Sequence, residues 1–132
     1  MRLFLQLDIN DWQKRSYDQP MTRFASSLAE DIVSVDVDNQ SDPHVVELLL
    51  RLINEAENIL VLIRAEPGAA LGVGSKLMNH LLRAPHKVER IILLGHNQIL
   101  EKVLTPFQDQ ITRQDNVVAA QAEIKAFAEK SN

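Results

Sequence analysis

Asn58-Ile59-Leu60-Val61-Leu62-Ile63-Arg64 decides the fold. Five consecutive apolar residues, three of them β-branched, describe a strand buried on both faces, as in the interior of a parallel sheet. Ala65-Glu66-Pro67-Gly68 follows at once, so the strand stops sharply and carries Arg64 and Glu66 to its carboxyl end. Open α/β sheets hold their ligands at that edge.

Working outward toward the N-terminus, the helix before this strand opens at Asp42-Pro43, a side-chain acceptor at the cap and proline in the first turn. It is expected to run to about Glu57. Its apolar residues Val45, Val46, Leu48, Leu49, Leu50, Leu52, Ile53 and Ala56 cover more than the ~100° stripe of a surface helix. The surplus predicts packing under a neighbouring helix or a self-association face. Before it, Val33, Val35 and Val37 alternate with Ser34, Asp36 and Asp38, a strand with one wet face that belongs at a sheet edge. Pro20 suits a first helical turn, and Met21, Phe24, Ala25, Leu28 and Ala29 recur at helical spacing. The chain opens with Leu3-Phe4-Leu5-Gln6-Leu7, an internal strand, then Asp8 and a polar loop from Asn10 to Asp18 that holds Trp12 and Tyr17.

Downstream, the small-residue segment Gly68 to Gly74 leads into a helix from Ser75 to Arg83, carried by Leu77, Met78, Leu81 and Leu82 and closed by Pro85. Val88 to Leu94 is the fourth strand, with Gly95-His96-Asn97 at its carboxyl end. A helix from Gln98 to about Thr105 turns Ile99, Leu100, Val103 and Leu104 inward, and Pro106 ends it. Gln110-Ile111-Thr112 is the candidate for a short fifth strand. Val117, Ala120, Ile124, Phe127 and Ala128 define a last helix between Gln114 and Lys130.

Strands alternating with helices imply right-handed crossovers and helices on both faces of a parallel sheet. The expected fold is a single α/β domain over residues 1–132. It is a three-layer α/β/α sandwich on a parallel four- or five-stranded sheet, in the flavodoxin-like order 2-1-3-4(-5).

Composition narrows the function classes. The chain has no cysteine, which excludes disulfides, thiolate metal sites and a cysteine nucleophile, and suits a reducing compartment. Asp8 interrupts the first apolar run too early for a signal peptide, and no run approaches the roughly 18 apolar residues of a membrane span. A cytoplasmic protein with no membrane partner is expected. Net charge is −4, from 14 basic and 18 acidic side chains spread along the chain without a basic stripe. One Trp, one Tyr and four Phe form no stacking platform among basic residues, so nucleic acid is not an expected partner.

The carboxyl ends of strands one and three are neighbours in this order, and the connections leave them in opposite directions. That is the switch point where small ligands bind. Around it stand Asp8 and Asn10, Asp36 and Asp38, Arg64 and Glu66, and His96 and Asn97. Asp8, Glu66 and His96 are the catalytic candidates. His96 ends a buried strand at the right edge and has the chemistry of an acid or base near neutral pH. His44, His80 and His86 lack metal-ligand spacing to one another and read as solvated. Asp8 with Asp36 or Asp38 resembles a carboxylate pair for a hard cation. A phosphate-accepting receiver domain also needs an aspartate ending its third strand, where this chain has Arg64-Ala65-Glu66, and no metal site is assigned.

Gly72-Val73-Gly74-Ser75-Lys76 resembles a phosphate cradle: backbone amides at a helix start, then a hydroxyl and an ammonium. It is no P-loop, because the glycine spacing is one residue too long and Lys76 follows Ser75 instead of preceding it. The dinucleotide fingerprint and the nucleophile elbow are absent, and no cofactor is expected. The ligand-binding candidates are therefore Asn10, Asp36, Asp38, Arg64, Gly72, Gly74, Ser75, Lys76 and Asn97.

Over residues 1–105 the order of elements resembles Toll/interleukin-receptor (TIR) domains and nucleoside 2-deoxyribosyltransferase-like proteins. The likeness lies in the valine-rich strand, Ser41-Asp42-Pro43 opening a helix, and Ala56-Glu57-Asn58 running into Ile59-Leu60-Val61-Leu62-Ile63. It implies a glutamate at the start of the following helix, but none occurs from Gly74 to Asn79, and Glu66 lies earlier, in the loop. Two functions are carried forward. One is a non-catalytic module that binds a partner protein or a small ligand and forms a homodimer through helix 43–57. The other is an enzyme on a nucleotide-like or phosphorylated small molecule, with Asp8 and His96 as acid and base and Gly74, Ser75 and Lys76 holding the anion.

Overall fold

The computed structural model describes residues 1–9, 22–39, 41–114 and 116–129. The elements run β1 (Arg2–Ile9), α1 (Thr22–Leu28), β2 (Ile32–Asp38), α2 (Pro43–Glu55), β3 (Asn58–Ala65), α3 (Val73–Leu81), β4 (Val88–Gly95), α4 (Gln98–Val103), β5 (Ile111–Gln114) and α5 (Val117–Glu129). Short 3-10 turns occupy Pro85–Lys87 and Thr105–Gln110. Asn10, Trp12, Tyr17, Pro20 and Met21 lie outside the described residues.

All strands are parallel, and the sheet order is β2-β1-β3-β4-β5, the flavodoxin-like arrangement. β3 sits at the centre with Ile59 to Ile63 buried, as a strand covered on both faces must be. Its odd-numbered residues face one core and its even-numbered residues the other. Ile59, Val61 and Ile63 join Leu3, Leu5 and Leu7 of β1 beneath α2, α3 and α4. Leu60 and Leu62 join Phe4, Ile92 and Leu94 beneath Ala25 of α1 and Ala120, Ile124 and Phe127 of α5. The four residues of β5 pair with Ile91 to Leu94.

α2 stops at Glu55, two residues short of the expected end. Ala56 is extended, its N–H donates to the Leu52 carbonyl, and Lys87 Nζ donates to the carbonyls of Ile53 and Asn54. Val46, Leu49 and Ile53 are its buried line, whereas Val45 and Leu48 remain 39% and 54% exposed. Ile99 departs from expectation. It is 56% exposed, because α4 is only six residues long and Leu100 alone of its side chains is buried. At the amino edge, Arg2 is buried and donates to both Asp31 carboxylate oxygens at 2.7 Å, to the Phe127 carbonyl at 2.6 Å and to the Ala128 carbonyl at 3.3 Å. No helix among the described residues is long and apolar enough to cross a membrane.

Candidate functional site

The parallel register brings the carboxyl-edge residues together. Asp8 lies opposite Asp38 on one side and Arg64 on the other, and Gln6 lies opposite Asp36. These side chains share the sheet face covered by α1 and α5, since all have the same parity along their strands. Arg64 grips Asp8 in a two-pronged pair, Nε to Oδ1 at 2.7 Å and Nη2 to Oδ2 at 2.8 Å. Both side chains are largely buried, at 23% and 14% exposure, so the pair is screened far less than a surface one. Gln6, fully buried, donates its amide to Asp8 Oδ1 at 3.3 Å. Its place inside an apolar strand was the signal for this role. Asp36 is exposed at the sheet edge. The Asp38 N–H donates to Ser41 Oγ at 2.9 Å, which shapes the turn into α2.

The start of α3 is held from an unexpected side. Asn39, buried at the end of β2, donates from its backbone N–H to the Asp8 carbonyl at 3.0 Å and from Nδ2 to the Ala70 carbonyl at 2.7 Å. Its own carbonyl accepts from the Val73 N–H at 3.3 Å, while the Gly74 N–H donates to the Leu71 carbonyl at 2.9 Å and Ser75 N–H to that of Gly72 at 3.3 Å. Three amides of the cradle are thus satisfied by backbone. The side chains that the segment offers an anion are the Ser75 hydroxyl, half-buried, and the exposed Lys76 ammonium. Gly74 is buried, with Leu7 and Ile9 at ordinary contact distance from where a Cβ would stand. From Gly74 to Asn79, Leu77 and Met78 are also buried, and only Lys76 and Asn79 are exposed.

A cleft of about 310 Å³ opens between the loops that follow β3 and β4, lined by Pro67, Gly68, Ala69, His96, Asn97, Gln98 and Ile99. Asn97 builds its floor and is 1% exposed. Its Nδ2 donates to the carbonyls of Glu66 at 3.0 Å and Ala69 at 2.8 Å, and its Oδ1 accepts from the Ile99 and Leu100 amides at 3.1 Å. All the polar capacity of that side chain goes into fastening the β3 loop to the start of α4. Glu66 enters through its backbone too, its N–H donating to the Ile9 carbonyl at 2.9 Å.

His96 stands at the cleft rim with 60% of its side chain exposed, Nδ1 lying 3.7 Å from Glu101 Oε1. Glu101 is itself bound by Arg113 through two contacts of 2.6 Å. The Arg113 guanidinium, and then the nearby His96, hold the Glu101 carboxyl below its usual range. The structure therefore pairs Asp8 of β1 with Arg64 of β3 and sets His96, just past the end of β4, beside Glu101. Among the described residues, no group of three or more histidines and carboxylates is arranged to hold a metal ion. Pro67, Gln98 and Ile99 had no signal in the sequence beyond lying near strand ends.

No protein-family model, curated protein or solved structure matches this chain.

Proposed function

We propose that this protein is a non-catalytic α/β binding module. It takes a small, mostly apolar ligand or an apolar side chain of a partner protein in the cleft beside Ile99, and it associates with itself through α2. One observation carries the reading. At the carboxyl edge Asp8 grips Arg64 and Asn97 fastens the two loops, which leaves the exposed His96 at the rim of a cleft walled by Pro67, Ala69 and the exposed Ile99. Its volume is at the small end of the ~300–1,000 Å³ range of ligand pockets.

The alternative, an enzyme on a nucleotide-like or phosphorylated molecule, draws on Lys76 and Ser75 at the start of α3, both open to an anion. One thermal-shift experiment separates the two. Small aromatic and alicyclic fragments are expected to raise the melting temperature, and Ile99→Ser to remove the rise while leaving the apo melting point in place. If nucleotides or sugar phosphates raise it instead, and Lys76→Ala removes that rise, the enzyme reading replaces this one. No shift with either set rejects both ligand readings.

A further inference from the structure

The two flanks of α2 differ. Asn54 Oδ1 accepts from His80 Nε2 of α3 at 2.9 Å, so the flank bearing Leu50 and Asn54 faces α3. At 100° per residue, Val45, Leu48 and Leu52 fall on the opposite flank, beyond the buried line of Val46, Leu49 and Ile53. That flank is turned to the outer strand β2, which carries a third exposed apolar side chain, Val33, at 37%. β2 carries the exposed Asp36, but few of the other devices that blunt an edge. It has no lysine, proline or bulge, and its register to β1 runs unbroken from Ile32 to Asp38. The opposite edge, β5, is four residues long and carries Arg113.

Charge says what covers this flank. Along the exposed side of α2 the order is His44, Glu47, Arg51, Glu55: base, acid, base, acid. None of the four forms an ion pair among the described residues. Reversing the helix exchanges the bases with the acids. An antiparallel second copy therefore sets Glu47 beside the partner's Arg51 and His44 beside the partner's Glu55. A centre beside Leu48 brings Leu48 to the partner's Leu48 and Val45 to the partner's Leu52, and the charge pairs lie about one to two residues off it, within side-chain reach. A parallel copy in register would set like against like.

We infer that two chains pair about a two-fold axis passing beside Leu48, α2 antiparallel to the partner's α2, above the two β2 strands. This rests on the self-association reading and adds its geometry. A two-fold contact is self-complementary, as this pattern of charges and leucines requires.

The absence of cysteine makes the test clean. Sedimentation velocity from micromolar to near-millimolar protein is expected to show a monomer–dimer equilibrium. Leu48→Glu should weaken it at least about tenfold, by placing an unpaired charge at the centre, with melting still cooperative. Arg51→Glu and Glu47→Arg should each weaken it, and the two together should restore it. Under a mild oxidant Leu48→Cys should cross-link to its own copy and Val118→Cys, on the exposed face of α5, should not. A strict monomer overturns the self-association reading and this geometry together. A dimer that survives Leu48→Glu, cross-links through Val118→Cys, or is not restored by the double exchange overturns the geometry alone.

Discussion

Gly72 and Gly74 lie two residues apart and respond in opposite ways to a methyl group. Gly72 has φ +53°, and a Cβ there would stand 2.0 Å from the Asn39 carbonyl oxygen, a rigid backbone atom. Gly72→Ala is expected to cost about 2 kcal/mol or more, from the left-handed conformation and the displaced turn. At Gly74 the nearest atom is Leu7 Cδ2 at 3.5 Å, an ordinary contact inside a helix. Gly74→Ala should be neutral or stabilising by about 0.5–1 kcal/mol. Urea denaturation of the two variants checks both, and equal losses would refute the distinction. The sequence marks both glycines alike, as members of a small-residue loop. The difference lies in Asn39, which is 33 positions away from Gly72 and reaches it only because β2 ends where α3 begins. Asp8 and Arg64 teach the same lesson. Each is legible as a strand-end residue, but their pairing depends on a register across 56 positions. Replacing Arg64 by leucine leaves a largely buried carboxylate uncompensated and is expected to cost on the order of 2–4 kcal/mol, while Asp8→Leu with Arg64→Leu should cost less than the two single losses combined. A double-mutant cycle by urea denaturation measures that coupling.

At the scale of elements, the α2–α3 contact carries a pH response. Burial, and then the cations Arg83 and Lys87, push the His80 imidazole below its ordinary value of 6.5. The unfolded chain then takes up this proton more readily than the fold does, so the contribution is present above pH 6.5 and lost as pH falls toward the lower folded value. The melting temperature is expected to fall between about pH 7 and pH 5.5, and His80→Gln, which keeps a hydrogen-bonding group near Asn54, should flatten that slope. A slope unchanged by the substitution would place its origin elsewhere. Elements were largely legible because apolar periodicity reports burial: β3, β4, α2 and the sheet order all follow from it. It misjudged Ile99, because a six-residue helix buries a narrower stripe than its sequence offers. It left β5 marginal too, since Ile111 and Thr112 are only half-buried at the edge.

For the whole molecule, the decisive fastening is Arg2, which joins β1, the turn at Asp31 and the end of α5 in one set of hydrogen bonds. Its guanidinium also lies 5.4 Å from the centre of the Phe127 ring. Arg2→Met should cost about 1–3 kcal/mol, because the Phe127 carbonyl loses its donor in a buried place. Hydrogen exchange should quicken in α5 before it does in β3; uniform quickening would mean that α5 does not open as a separate unit. The sheet order has a further consequence for how the chain is made. Leu60, Leu62, Ile92 and Leu94 are sealed by Ala120, Ile124 and Phe127, which come from the last element of the chain. During synthesis, β3 and β4 can therefore pair and gain α2 and α3 while their other side stays bare. A nascent chain paused after β4 presents an aliphatic band of the kind that chaperones hold, and it stops being such a client once α5 emerges and closes over it.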